Sequence, residues 1–360
     1  MPEDQNLYYR DYLQLDTLLH AQHPESCRPG NEPAHDEMLF IITHQAYELW
    51  FRQILFELDY ILSVFKKETI DDNSGDLNLV RHRLNRVNRI WELLTLQIGV
   101  LETMTPLDFL EFRNLLVPAS GFQSLQFRLI EARLGLRLDS RYGKDYYKRT
   151  NEGGFQAGDF ERITRTEKDV NLLTLVGNWL ERMPFFDPSL WKDYAQHTPI
   201  PGDGLHPFWS DYRALYRDGL NEHEKGRLAD FDRLFREQRA NETVPVEGSP
   251  AMSRSAMRSA LFIMLYRDVP VFQTSYQLLD ALVHLDNAMA DWRHKHMDMV
   301  RRMIGMRTGT GNTTGRGYLE GALASHYIFG DVAGLSTFLI ERRKLPRLPV
   351  ALLRKLGYSE

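Results

Sequence analysis

Phe40 and His44 stand one helical turn apart inside an apolar run, so both side chains can face one cavity. The residues alone leave two readings of that imidazole open: a group that hydrogen-bonds a ligand, or a core histidine satisfied by a backbone carbonyl or water. His294 and His296 lie two positions apart beside Trp292 and Met299, and on a helix that spacing points them to different faces. Only one of them can look inward. A lone inward histidine is a poor basis for zinc, which takes three or four protein ligands, but it suffices for haem iron, whose porphyrin supplies four nitrogens. Cys27 is the single cysteine of the chain, which excludes an intramolecular disulfide and any multi-cysteine zinc or iron–sulfur site. A cofactor would therefore be held by other residues, histidine first among them.

Phe109 and Arg113 form a second pair one turn apart. An arginine among apolar residues suits bidentate capture of a carboxylate, and an ion pair with Glu111 or another acid is the alternative. Ser120 opens Ser120-Gly121-Phe122-Gln123, the spacing of a capping box, which explains the serine without a catalytic role. Gly305 to Leu319, GMRTGTGNTTGRGYL, is glycine-rich but follows a helix rather than a strand and lacks Gly-Lys-Ser/Thr, so neither a dinucleotide fingerprint nor a P-loop fits. It reads either as a loop able to close over a small polar ligand or as a helix stop followed by an irregular turn.

The elements that must position these residues are helical. From Met38 through Ile41, Ile42, Leu49, Ile54 and Leu58 apolar positions recur at three- and four-residue steps. A second helix is expected from about Leu77 to Met104, with Arg81, Arg83, Arg86 and Arg89 as a solvated or ion-paired face. Thr105-Pro106-Leu107-Asp108 reads as a helix start, and further helices are expected at about 169–183, 250–268, 271–305 and 315–328, with Val269-Pro270 breaking the run between two of them. Strand-like alternation is scarce. Between about 184 and 250 the periodicity weakens and prolines and glycines interrupt it, which suggests a small helical insertion on one all-α domain spanning 1–360.

A hydrophobic fraction of 43% with 26% charged residues is a globular composition. The net charge of −5, without a basic stripe, argues against a nucleic-acid partner. No uncharged run is long enough for a membrane span and the amino terminus lacks a signal-peptide pattern, so a cytoplasmic location is expected.

The strings that contain these residues resemble the tryptophan 2,3-dioxygenase family along nearly the whole chain. HDEMLFIITHQAYELWFRQILFELD (35–59), TPLDFLEFRNLLVPASGFQSLQFRLIE (105–131), YRDVPVFQTSYQLLDALVHLDNAMADWRHKHMDMVRRMIG (266–305) and LSTFLI (335–340) carry the resemblance. It implies an all-α helical-bundle haem dioxygenase fold holding haem b, one per subunit, with His296 of the WRxxH string as proximal iron ligand and Ser120 and Gly121 beside the haem. It also implies that Phe40 and Phe109 line the tryptophan pocket, His44 meets the indole N–H, Arg113 binds the carboxylate and Thr310 contacts the ammonium. Tyr9 and Tyr12 match a pair that reaches a neighbouring subunit's pocket, which implies a homotetramer. Two departures stand out: GTGNTTG, where the family usually has GTGGSSG, and Arg10-Asp11 between the tyrosines. Residues 140–250 match poorly, and nothing is carried over there.

The activity so implied is opening of the indole C2–C3 bond of L-tryptophan by O2 to give N-formylkynurenine. The altered loop motivates a rival that acts on a substituted tryptophan or adds one oxygen atom, and a haem sensor without turnover is a rival of another class.

Overall fold

The computed structural model describes residues 7–68, 70, 75–136, 154–195, 206–235, 251–305 and 327–356. Among these, every regular element is helical, and the chain is an all-α protein. Two short helices, α1 (Tyr9–Tyr12) and α2 (Leu15–Leu19), precede α3 (Glu37–Phe65), α4 (Gly75–Leu101), α5 (Pro106–Phe112), α6 (Leu125–Leu134), α7 (Ala157–Lys168), α8 (Leu172–Glu181), α9 (Pro207–Gly219), α10 (Arg227–Phe235), α11 (Arg254–Leu265) and α12 (Pro270–Ile304).

The bundle is organised around α4, against which α3 and α12 both pack. Leu77, Val80, Leu84, Val87, Trp91, Leu94, Ile98 and Leu101 alternate steps of three and four residues and are all buried, so one apolar seam runs the length of the helix. Its basic face is ion-paired as expected: Arg83 and Arg86 converge on the buried Glu57 of α3 at 3.3 and 2.7 Å, and Arg89 meets Glu92 at 2.6 Å. Two cations on a buried carboxylate supply the compensation that its desolvation demands.

Local signals set the next boundaries. Thr105 accepts from the Asp108 N–H while the Asp108 carboxylate accepts from the Thr105 N–H at 2.8 Å, with Pro106 at the first helical position. The helix lasts only seven residues before tightening into the 3-10 turn Arg113–Leu116. Ser120 and Gln123 form the expected capping box, around the short 3-10 turn Gly121–Gln123 rather than a full helix; Ser124 then caps α6. Gly135 ends α6 at φ +109°, and a β-carbon there would lie 2.6 Å from the Asn171 side-chain oxygen, so both conformation and space require glycine.

Residues 206–235 form helices where periodicity had faded, because their buried face is aromatic: Phe208, Trp209 and Tyr212 of α9 and Phe231 and Phe235 of α10 pack towards Phe262 of α11 and Phe338. The hydroxyls of Tyr212, Tyr216 and Tyr266 donate to the carbonyls of Phe338, Thr337 and Pro346, which ties the carboxy-terminal stretch to α9 and α11. The helix expected at 315–328 lies outside the described residues except for 327 and 328, which are not helical.

His206 caps α9 by accepting the Phe208 N–H at Nδ1 (3.3 Å), and burial pushes its pKa down to about 4. A histidine whose folded-state pKa lies below its unfolded value stabilises the fold fully above about pH 6.5. That contribution is lost as pH falls towards 4, by up to about 1.4 kcal/mol per pH unit. His206→Asn replaces the capping nitrogen with a side-chain oxygen that does not titrate, so urea midpoints measured between pH 4 and 7 should fall less steeply with acid than those of the parent.

Candidate active site

His44 lies on the inner side of α3, in phase with Phe40, Tyr47, Phe51, Ile54 and Leu58. Its Nδ1 is 2.7 Å from the Phe40 carbonyl, an acceptor, so Nδ1 carries the proton and a neutral ring presents Nε2 as a lone pair. Burial holds the ring neutral by lowering its pKa, against the opposing pull of the Phe40 carbonyl and the Glu48 carboxylate. The Phe40 ring lies 4.1 Å from that of His44 and 5.8 Å from that of Phe109, so α5 faces α3 across this cluster. Phe112 closes it with edge contacts to Phe40 and Phe109 at 5.6 and 5.4 Å.

Arg113 is half-buried at the first position of the 3-10 turn, four residues after Phe109. Just past Ser120 and Gly121 the chain is tied to α3, because Glu48, one turn past His44, receives hydrogen bonds from the Ser124 hydroxyl (2.6 Å) and the Gln126 amide (2.8 Å). A β-carbon built at Gly121 meets no described atom within 4 Å.

On α12, His296 continues a seam of Leu278, Leu282, Leu285 and Met289 that resumes at Met299 and Met303, again at steps of three and four. His294 is out of phase with that seam. Its side chain is 63% exposed and pairs with Asp298 at 3.5 Å. The His296 ring stacks on Trp292, centroids 5.1 Å apart and planes 9° from parallel. Burial depresses its pKa to about 4, with His44 as the second cause, and no hydrogen bond from a described residue contributes. A neutral imidazole keeps one ring nitrogen's lone pair free, which is what binding a metal requires.

The two histidines belong to one ring network. Trp292 touches Tyr47 at 6.0 Å and Tyr47 touches His44 at 6.3 Å, while Phe51, Trp91 and Phe127 surround the indole of Trp292. Among the described residues no group of three or more His, Cys, Asp or Glu could hold a bare metal ion. A metal at His296 would therefore bring most of its own ligands, as iron porphyrin does.

Tyr9 and Tyr12 are 70% and 68% exposed on α1 and stand outside this cluster in the single chain. Thr310 and the glycine-rich segment that follows α12 lie outside the described residues. Glu48 and Tyr47 were not singled out from the sequence. The signal was present, since both lie within one turn of His44, but nothing local distinguished them from other helix residues. Among the described residues no single helix is long and apolar enough to cross a membrane.

Comparison with known proteins identifies a family. The family model described as tryptophan 2,3-dioxygenase matches residues 2–339. The tryptophan 2,3-dioxygenase of Bdellovibrio bacteriovorus is 41% identical over 368 residues, covering 98% of each chain. Those of Dictyostelium discoideum and Xenopus tropicalis are 39% and 40% identical, each covering 98% of this chain and 88% and 87% of their own lengths.

Proposed function

The chain belongs to the tryptophan 2,3-dioxygenase family, and from that premise we propose that it is an oxidoreductase that inserts both atoms of O2 into L-tryptophan, opening the indole C2–C3 bond to give N-formylkynurenine. The observation that carries this reading is the convergence of His44, Phe40 and Phe109 with Trp292 and His296 through one aromatic network.

His296 would hold haem b, one per subunit, through a ring nitrogen, with Ser120 and Gly121 beside the porphyrin. The neutral, stacked imidazole and the lack of a multi-residue metal cluster among the described residues both fit that group. When bound, reduced iron porphyrin supplies the O2 chemistry that no side chain provides.

The residues of the chain bind and orient. Phe40 and Phe109, whose rings pack on each other, present one aromatic wall to the indole and keep water from it. His44, protonated at Nδ1 by its bond to the Phe40 carbonyl, offers Nε2 to the indole N–H and so fixes the rotation of the ring. Arg113 pairs with the substrate carboxylate, and Thr310 contacts its ammonium. Positioning of this kind can remove several kcal/mol of barrier.

We assign Tyr9 and Tyr12 to a neighbouring subunit's pocket within a homotetramer, a role that their exposure on α1 supports. A cytoplasmic location belongs to the same reading. The test of the function is aerobic incubation of the reduced, haem-loaded protein with L-tryptophan under labelled O2, followed by mass analysis. N-formylkynurenine carrying two labelled atoms is expected. A product with one labelled atom, or no product, overturns the reading.

A further inference from the structure

A buried ion triad lies behind the helix that carries His296. Glu131 of α6 is 1% exposed, and its two oxygens meet Arg128 at 2.8 Å and Arg293 of α12 at 3.0 Å. Both guanidiniums lie over the Phe127 ring, at 5.7 and 5.9 Å, and Phe127 packs at 5.3 Å on Trp292, the indole stacked on His296. Arg293 is thus joined to His296 through the backbone, three residues away, and through two aromatic rings. Asp286, seven residues before Arg293 and on the same side of α12, accepts the backbone N–H groups of Ile328 and Phe329 at 3.1 and 2.5 Å and feels the Arg293 charge.

Buried ion pairs are weak stabilisers compared with apolar packing, and their best attested use is to specify register. The seam of α12 needs such a device. Around His296 it is built of Met289, Met299 and Met303, unbranched side chains that repack readily and define a helix's rotation poorly. A rotation or slide of α12 that such packing tolerates would carry the His296 ring off its axis. The charge-assisted hydrogen bond from Arg293 Nη2 to a carboxylate fixed in α6 does not tolerate it, because such a bond is directional and its partner is buried.

Resting on the reading of His296 as haem ligand, we propose that the Glu131–Arg293 pair is a positioning device that pins the register of α12 and thereby aims His296 at the iron. Arg293→Met is the test, because Glu131 keeps Arg128 and no carboxylate is left buried alone. Arg128→Met removes the other guanidinium from the same carboxylate but leaves α12 tied to α6. It therefore matches the burial cost without touching the register.

In the reduced haem-loaded proteins, the iron–histidine stretching band should shift or broaden for Arg293→Met and stay at the parent position for Arg128→Met. Haem transfer to apomyoglobin should quicken about tenfold or more for Arg293→Met alone, in line with losses seen when partners of metal ligands are removed. Arg293→Lys, which keeps the charge but not the planar guanidinium that reaches Glu131, should fall between, and it supplies the measurement if Arg293→Met does not fold.

A parent-like band and haem-loss rate in the Arg293 variants, or equal changes in Arg128→Met, overturn the proposal. His296→Ala separates the two ideas. If it retains the iron–histidine band, the ligand assignment has failed; if it loses the band while the Arg293 variants remain parent-like, only the register pin has.

Discussion

Arg113→Ala is expected to lower kcat/KM for L-tryptophan by roughly 30-fold to several thousand-fold, the equivalent of about 2–5 kcal/mol. The size follows from the surroundings assigned to the substrate. Its indole would lie against Phe40 and Phe109, whose rings are 5.8 Å apart, and its carboxylate would leave water to enter that aromatic site. Truncating one partner of a desolvated charge pair costs the interaction and also strands the other charge. Arg113→Lys restores the charge without the two-pronged geometry and should recover only part of the loss. Tryptamine, which has no carboxylate, provides the internal control, because the Arg113→Ala penalty should nearly vanish for it. Kinetics with both substrates decide the matter. A variant that loses as much on tryptamine as on tryptophan has been damaged in its fold, and one that loses on neither does not use Arg113 as the carboxylate anchor.

What could be read from the sequence was read where a periodic or capping rule acted alone. The inner face of α3, the extent of α12 and the Thr105 and Ser120 caps follow from apolar spacing and local hydrogen-bond chemistry, and each appears within a few residues of its expected place. Helix α7 escaped because it buries only Ile163 fully, and a helix held by so narrow a stripe leaves little apolar pattern. Helices α9 and α10 were legible only as a weak insertion, since their buried residues are clustered aromatics whose partners lie in α11 and beyond, and sequence periodicity cannot report long-range packing. In the site, the spacing of His294 and His296 showed only that they face apart. Continuing the seam from Leu278, Leu282, Leu285 and Met289 would have added the missing step, because 296 falls in phase with it and 294 does not. The Glu131–Arg293 pair joins residues far apart in sequence, and no local rule could have brought them together.

That phase relation also sets the second large effect. His296→Ala should reduce turnover by roughly a thousand-fold or more, because the residue that would hold the iron porphyrin would contribute several kcal/mol and no described residue nearby can replace it. The depressed pKa of the ring, about 4, means that at neutral pH one ring nitrogen presents a lone pair while the other keeps its proton, so a metal could bind there without a deprotonation step. Its stack on Trp292 removes the rotational freedom that an imidazole held by a single bond would otherwise have to lose on binding a metal. Neither advantage exists two residues earlier. His294 stands 63% exposed with Asp298 as its partner, a solvent-screened surface contact, so His294→Ala should leave turnover and the absorption spectrum of the reduced haem-loaded protein unchanged. Spectra and turnover of the two alanine variants, compared side by side, carry the decision. Adding imidazole should restore the reduced-state spectrum of His296→Ala in part, since the removed side chain leaves room for it and the remaining wall of Trp292 still offers a face to stack upon. If His294→Ala is the variant that loses its spectrum, or if both alanine variants keep it, the ligand assignment to His296 fails. Loss confined to His296→Ala, with recovery by imidazole, ties the defect to the missing ring rather than to a collapsed helix.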